Sequence, residues 1–179
     1  MRFSCEKSIL QSIISITART VAIKSPIPAL EGILIEAAGQ LQLTGYNLKT
    51  GIRTAVSADI EEEGAIVVSS RLIGEIIRRL PDEPVYLSTE GETVTIRCGM
   101  SEFKIQGADA EEYPDLPSVE YLNTITMEQR RLMSMINQTL FAVSHDDSRP
   151  IHTGELFELD KDGVLTIVAV DGYRLALRR

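Results

Sequence analysis

Residues 28–36 read "PALEGILIE" and residues 150–158 read "PIHTGELFE". Proline opens both, glycine stands fifth, leucine seventh, and glutamate closes both. Proline and glycine mark backbone geometry, so their agreement says more than that of the apolar residues. The spacing of 122 residues holds upstream, where Phe3 meets Ile125, Glu6 meets Glu128, Leu10 meets Leu132, Ile13 meets Met135 and Val21 meets Val143. After a two-residue insertion it resumes, with Gly39 meeting Gly163, Leu41 meeting Leu165 and Asn47 meeting Asp171. A match sustained through helix, loop and strand patterns indicates a duplicated building block.

The block itself is legible in the first copy. "MRFSC" alternates as a strand does. From Glu6 to Arg19, Ile9, Leu10, Ile13, Ile14 and Ala18 recur at helical spacing. Two prolines in "SPIPALEG" stop that helix. Residues 32–57 then read as three strands, turning at Ala38-Gly39 and around Asn47. The same plan follows at once. "AIVVSS" is a strand, and Ser70 is placed to cap a helix over 71–80. Its apolar face is Leu72, Ile73, Ile76, Ile77 and Leu80; Arg71, Glu75 and Arg78 lie opposite. "VYLSTEGETVTIRCGMSEFKIQ" supplies three strands joined at Glu90-Gly91 and Cys98-Gly99. "GADAEEYPDLPSVE" has no period, many acids and two prolines, and reads as a linker between domains. The expected division is a complete domain over 1–107, a linker over 108–122, and over 123–179 the first half of a second domain whose other half would lie beyond Arg179. The fold class is α+β: duplicated strand-helix-three-strand units with helices on one face of antiparallel sheets.

The chain has 179 residues and a net charge of −8. Such a chain repels nucleic acid at long range, so any DNA contact needs a locally basic surface. The polar faces of the three helices are candidates, with Lys7 and Arg19 on the first, Arg71 and Arg78 on the second, and Arg130 or Arg131 on the third. A solvated helix face explains the same residues. The N-terminus lacks a signal core, and no stretch is apolar enough to cross a bilayer as a helix, so a cytoplasmic protein is expected. Cys5 and Cys98 suggest reduced, half-buried thiols rather than a disulfide framework. Near the C-terminus "VAVDGYRLAL" places Asp171-Gly172 between two extended runs, the second from Tyr173 to Leu177, a hairpin signal. In "SHDDSRPIH", His145, Asp146, Asp147 and His152 are metal-ligand types, but a substituted copy of the loop "AIKSP" accounts for them as well. Neither a phosphate-binding glycine loop nor a nucleophile elbow occurs, and no cofactor, metal or catalysis is expected.

Five stretches in order resemble one family. "MRFSCEKSIL", "SPIPALEGILIE", "GADAEEYPDLP", "RPIHTGELFE" and "VAVDGYRLAL" are similar to segments of the bacterial sliding clamps, the β subunits of DNA polymerase III. The resemblance implies a non-catalytic processivity factor. Three domains form a protomer and two protomers close head to tail into a ring on double-stranded DNA. The DNA polymerase catalytic subunit and the clamp loader are held by short peptide motifs. It also implies site residues. Lys24 sits where the family has a basic residue and Arg71 matches a basic helix start, both facing DNA, and Arg78 joins them as a DNA-contact candidate from the polar face of the second helix. Asp146, Pro150 and Ile151 fall on a loop that approaches DNA, where Asp146 departs from a neutral residue, and Pro150 and Ile151 replace aromatic ones. His152, Val170, Gly172, Tyr173, Arg174 and Leu175 match the peptide groove, with His152 and Tyr173 as departures. The competing readings are an ordinary hairpin with a snorkelling Arg174 and a stand-alone α+β interaction module with no DNA role.

Overall fold

The computed structural model describes residues 1–118 and 124–179. The chain divides into two compact units, Met1–Ser118 and Val119–Arg179.

In the first unit, β1 (Arg2–Glu6) leads into α1 (Lys7–Thr17), a 3-10 turn (Ala18–Thr20) and another at Pro28–Glu31. Three antiparallel strands follow: β2 (Gly32–Ala38), β3 (Gln40–Tyr46) and β4 (Gly51–Val56). After the short β5 (Asp59–Glu62) the plan recurs with β6 (Gly64–Ser69), α2 (Ser70–Arg79), β7 (Pro84–Glu90), β8 (Thr93–Cys98) and β9 (Ser101–Ala108). One nine-stranded sheet runs β4-β3-β2-β6-β9-β8-β7-β1-β5. Each copy therefore lends its first strand to the other. Strand β6 pairs with β2, placing Ile66 opposite Ile35, while β1 pairs with β7, placing Phe3 opposite Leu87. Neither copy can complete its sheet alone.

Helices α1 and α2 cover this sheet with Leu10, Ile13, Ile14 and Thr17 of one and Ile73 and Ile77 of the other. Those residues fall at i, i+3, i+4 and i+7, one helical stripe. Ile9 and Leu72, read above as part of the apolar faces, sit a third of a turn off the stripe and are exposed. The cap of α2 is Ser69, whose hydroxyl accepts from the Leu72 amide at 3.5 Å, rather than Ser70, which is already helical. Cys5 and Cys98 are both fully buried free thiols, and burial raises the Cys5 pKa first, with Glu6 adding to it.

Two features differ from the sequence reading. Acid-rich "DIEE" forms β5, an edge strand on β1; Ile60 packs against the core and the acids face water. The N-terminal ammonium is tied down beside it, donating to Glu62 at 3.3 Å and Thr89 at 3.1 Å. The stretch read as a linker also begins inside the fold. Ala108 ends β9, and Tyr113 is buried with Ala29, Leu30 and Val67, donating its hydroxyl to the Thr44 carbonyl at 3.2 Å. The rest of that stretch, 119–122, and Asn123 lie outside the described residues.

The second unit holds α3 (Gln129–Thr139), 3-10 turns at Leu140–Ala142 and Pro150–His152, and the strands β10 (Leu156–Leu159), β11 (Leu165–Val170) and β12 (Leu175–Arg178) in the order β10-β11-β12. Helix and first turn repeat α1 and its turn at the 122-residue spacing. The expected leading strand is not formed, because 124–128 has no strand partner among the described residues. Its counterpart β1 pairs with β7, which belongs to the other copy, and with β5, which lies between the copies. No helix among the described residues is long and apolar enough to cross a membrane.

Candidate functional site

The three α-helices are basic in balance. Together α1, α2 and α3 carry Lys7, Arg71, Arg78, Arg79, Arg130 and Arg131 against one acid, Glu75, in a chain of net charge −8. All of these cations are exposed except Lys7, which is half-buried. None of these three α-helices has an acid in its first turn. The macrodipole favours a negative charge at that end, and in α1 and α3 it is supplied one position earlier, by the exposed N-cap residues Glu6 and Glu128.

In the first unit, Lys24 is exposed in the loop between the two 3-10 turns. Its neighbour Ile23 lines a cleft that Arg71 also lines, together with Val67 and Gly107. Glu31 and Glu112 line the same cleft, and Glu31 accepts from the Ser25 amide at 3.1 Å. Arg71 therefore shares its surroundings with carboxylates. Arg78 lies in the last turn of α2, where its charge complements the helix end.

In the second unit, Asp146 stands 122 residues after Lys24 and inverts its charge. It is turned toward its own loop, with the Ser148 amide donating at 2.9 Å and the Ser148 hydroxyl at 2.7 Å. These bonds hold its carboxyl below the usual carboxylate range, the amide first. Pro150 opens the 3-10 turn, and Ile151 projects almost wholly into solvent. His145, Asp146 and Asp147 are exposed, and the described residues contain no group of three or more His, Cys, Asp or Glu that could hold a metal ion.

The expected groove residues surround the β11–β12 hairpin. Its connection is a four-residue loop, 171–174, since Val170 lies opposite Leu175. The strand read as beginning at Tyr173 begins at Leu175, because Tyr173 and Arg174 are held in the turn. Their amides both donate to Asp171 Oδ1 at 3.0 Å, and Asp171 donates its own amide to the Arg174 carbonyl at 3.3 Å. Gly172 has φ +92°, which glycine alone adopts without strain. Tyr173 is fully exposed and Leu175 is 64% exposed, so apolar surface is presented rather than stored. Val170 is half-buried at the end of β11.

Arg174 does not snorkel freely. Its Nε donates to Asp171 Oδ2 at 2.8 Å, and its guanidinium lies 5.8 Å from the centre of the Phe141 ring. Phe141, itself 59% exposed, was not singled out from the sequence. Its only signal there is an aromatic residue at the end of the helical repeat, where the first copy has Arg19. The floor beneath is small: Ala142, Val143, Ala169 and Ala176 form one buried cluster. His152 joins the same neighbourhood through its backbone, its carbonyl accepting from the Ser144 amide at 2.9 Å.

Comparison with known proteins agrees with this architecture. Residues 1–117 match the family described as "DNA polymerase III beta subunit, N-terminal domain", and residues 126–179 match its "central domain". The chain is 37% identical over 179 residues to the protein named Beta sliding clamp of Streptomyces coelicolor, covering 99% of this chain and 47% of that protein. The DNA polymerase sliding clamp of Bacillus subtilis superposes with a TM-score of 0.91 at 33% identity, covering 99% of this chain and 49% of that one. The sliding clamp of Bartonella birtlesii, solved bound to griselimycin, superposes with a TM-score of 0.91 at 28% identity and the same coverage. This chain thus spans about half the length of the relatives it matches. With the repeated unit, the interlocked sheet and both domain matches in agreement, the chain belongs to the DNA polymerase III beta subunit family.

Proposed function

We propose that this chain is part of a sliding clamp that holds double-stranded DNA by encircling it and has no catalytic role of its own. The observation that carries the reading is the segregation of charge: basic, nearly acid-free helices on an acidic body. Phosphate contacts need cations, but sliding needs them weak and interchangeable. Exposed side chains on helix faces supply that, and Lys24, Arg71 and Arg78 lead them. Asp146 weakens the contribution of its own loop, leaving Pro150 and Ile151 as non-ionic contacts. Residues 1–118 act as one domain, its last stretch anchored by Tyr113, and 123–179 form the first half of the next. In a protein of the relatives' length, two copies close head to tail into a ring that works in the cytoplasm.

The hairpin loop and its surroundings receive a short peptide of the polymerase subunit or the clamp loader. Leu175, Tyr173 and Val170 offer apolar contact, Gly172 permits close backbone approach, and His152 borders the site. Arg174 presents donors to peptide carbonyls from a fixed position. Griselimycin, bound by the Bartonella clamp, is a convenient probe of this surface.

The test uses the protein at its relatives' length, loaded on nicked circular DNA. Linearising the circle releases a topological clamp through the free ends. Retention on linear DNA would overturn the reading, and so would undiminished loading after Arg71→Glu with Arg78→Glu.

A further inference from the structure

The repeat maps the hairpin surface of the second unit onto the first. Past the two-residue insertion, Val170 corresponds to Tyr46 and Leu175 to Gly51; before it, His152 corresponds to Leu30. Leu30, Tyr46 and Gly51 are all covered, and one stretch of this same chain covers them. Tyr113 is buried with Leu30, and Tyr46 packs against the same cluster. The Tyr113 hydroxyl donates to the Thr44 carbonyl at 3.2 Å, and the phenol oxygen accepts a backbone hydrogen bond from Tyr46. Three residues on, Leu116 is half-buried against Gly51, where an added Cβ would come within 2.4 Å of Leu116 Cδ2 and 3.2 Å of the Tyr46 ring. The second copy has a leucine side chain at this position. The first has glycine, and Leu116 takes the space.

Residues 113–116 have the form of a docked peptide. Tyr113 and Leu116 are its anchors, Pro114 is half-buried between them, and Asp115 faces water. Proline fixes φ and so lowers the entropy lost on docking. Among the described residues no strand pairs with 113–116, so side chains rather than a ladder hold it. The 3-10 turn Ala110–Glu112, capped by Asp109 on the Glu111 amide at 3.0 Å, carries the chain from the end of β9 onto the surface. We infer that the first unit carries its own copy of the peptide-receiving surface, and that residues 113–116 are its resident ligand, an aromatic-x-x-Leu peptide bound in cis. Tethering close to β9 gives the segment an effective concentration on the order of millimolar. A more dilute peptide in solution does not displace it, so the first unit is closed to the peptides proposed to dock at 170–175. That comparison rests on the role proposed for the second hairpin; the docking of 113–116 and its test do not involve it.

The experiment titrates a fluorescent peptide of residues 110–118 into the 179-residue chain and its variants. Tyr113→Ala with Leu116→Ala empties the surface and is expected to bind the peptide at least about tenfold more tightly than the parent, whose surface is filled. A peptide with alanine at both anchors is not bound. Adding Gly51→Leu to the emptied variant puts a leucine where Leu116 lay and lowers affinity by about tenfold or more, the loss of one buried apolar anchor. Tyr113 is a core residue, so the thermal midpoint serves as a second readout: the peptide raises that of the emptied variant and not that of the parent. Gly51→Cys with Leu116→Cys, mildly oxidised, is expected to close a disulfide within one chain; Cys5 and Cys98 are buried and do not compete. Equal binding by the parent and the emptied variant overturns the inference. So does an emptied variant whose midpoint the peptide leaves unchanged, equal affinity with and without Gly51→Leu, or a cysteine pair that does not close. None of these outcomes bears on the second hairpin, which is read separately with polymerase-derived peptide on the parent.

Discussion

Asn47 and Asp171 make the same loop in the two copies. Asn47 Oδ1 accepts from the amides two and three residues on, Lys49 at 3.0 Å and Thr50 at 2.8 Å, and its own amide donates to the Thr50 carbonyl. Asp171 does the same with Tyr173, Arg174 and the Arg174 carbonyl. A short side chain with an acceptor oxygen is what such a turn needs. The second copy adds a charge, and with it the ion pair to Arg174 at 2.8 Å.

The charge makes the second loop pH-sensitive where the first is not. The Tyr173 amide, then the Arg174 amide, hold the Asp171 carboxyl below its ordinary value of 3.8. A depressed pKa means the folded form favours the carboxylate. Its contribution is therefore present above 3.8 and is lost as pH falls below that value toward the folded midpoint. Carboxyl-carbon NMR is expected to show Asp171 titrating below 3.8, and Asp171→Asn to keep the turn amides protected from exchange while abolishing that titration. Asp171→Ala should expose both amides.

Gly45 and Thr20 form a pair that the second copy rewrites. The Thr20 hydroxyl donates to the Thr17 carbonyl at 3.1 Å and to the Gly45 carbonyl at 3.0 Å. A Cβ on Gly45 would come within 2.4 Å of the Thr17 carbonyl oxygen and 2.8 Å of Thr20 Oγ1. The corresponding residues in the second unit are Ala142 and Ala169, packed in one cluster. Gly45→Ala should cost about 2–3 kcal/mol by overpacking, and Thr20→Ala about 1 kcal/mol by removing a buried donor. The double variant should cost less than the two together by at least about 0.5 kcal/mol, read from urea denaturation, since one clash is relieved. Strict additivity would mean the two sites are not coupled.

What the sequence disclosed follows from where the information is local. Pro28 and Pro150 each open a 3-10 turn, Gly39, Gly91, Gly99 and Gly163 all sit at positive φ, and these were visible as spacings. What depends on a partner far along the chain was not. Residues 59–62 look like a solvated acidic run, and only β1 alongside makes them a strand. Residues 124–128 carry a strand pattern, yet without a neighbour they do not form one. Tyr113 was hidden in a run of acids and prolines because its partner, the Thr44 carbonyl, lies 69 residues away. In the candidate groove the loop residues 170–175 were legible as a motif, while Phe141, reached only through the packing of its turn on β11 and β12, was not.

Tyr113 offers a direct check that the stretch before 119 belongs to the first unit. Burial raises its phenol to about 12, opposed only partly by a backbone hydrogen bond from Tyr46. A raised pKa favours the protonated form in the fold, so its contribution is complete below 10, the ordinary value, and disappears as pH rises toward about 12. The chain has five tyrosines. Absorbance at alkaline pH should show a late-ionising tyrosine that Tyr113→Phe removes. The same substitution should lower stability by about 1 kcal/mol through loss of the bond to Thr44. Loss of an early-ionising tyrosine instead would place residue 113 in solvent.

Phe141 and Arg174 test the groove. The guanidinium is held on one side by Asp171 and on the other by the Phe141 ring, so it is oriented before any peptide arrives. A cation over an exposed aromatic face contributes about 0.5–1 kcal/mol, and losing it would lower peptide affinity about two- to fivefold. Phe141→Ala is expected to have that effect in a titration with fluorescent polymerase-derived peptide, and Phe141→Tyr to restore affinity. Arg174→Ala with Leu175→Ala should weaken binding further, because the donor and the apolar anchor contact go together. DNA retention should be unchanged in all three, since none of these residues lies on the basic helices. Equal affinities for the parent and Phe141→Ala would leave Arg174 to be positioned by Asp171 alone. Equal affinities for the parent and the double variant would move the peptide site off this hairpin altogether.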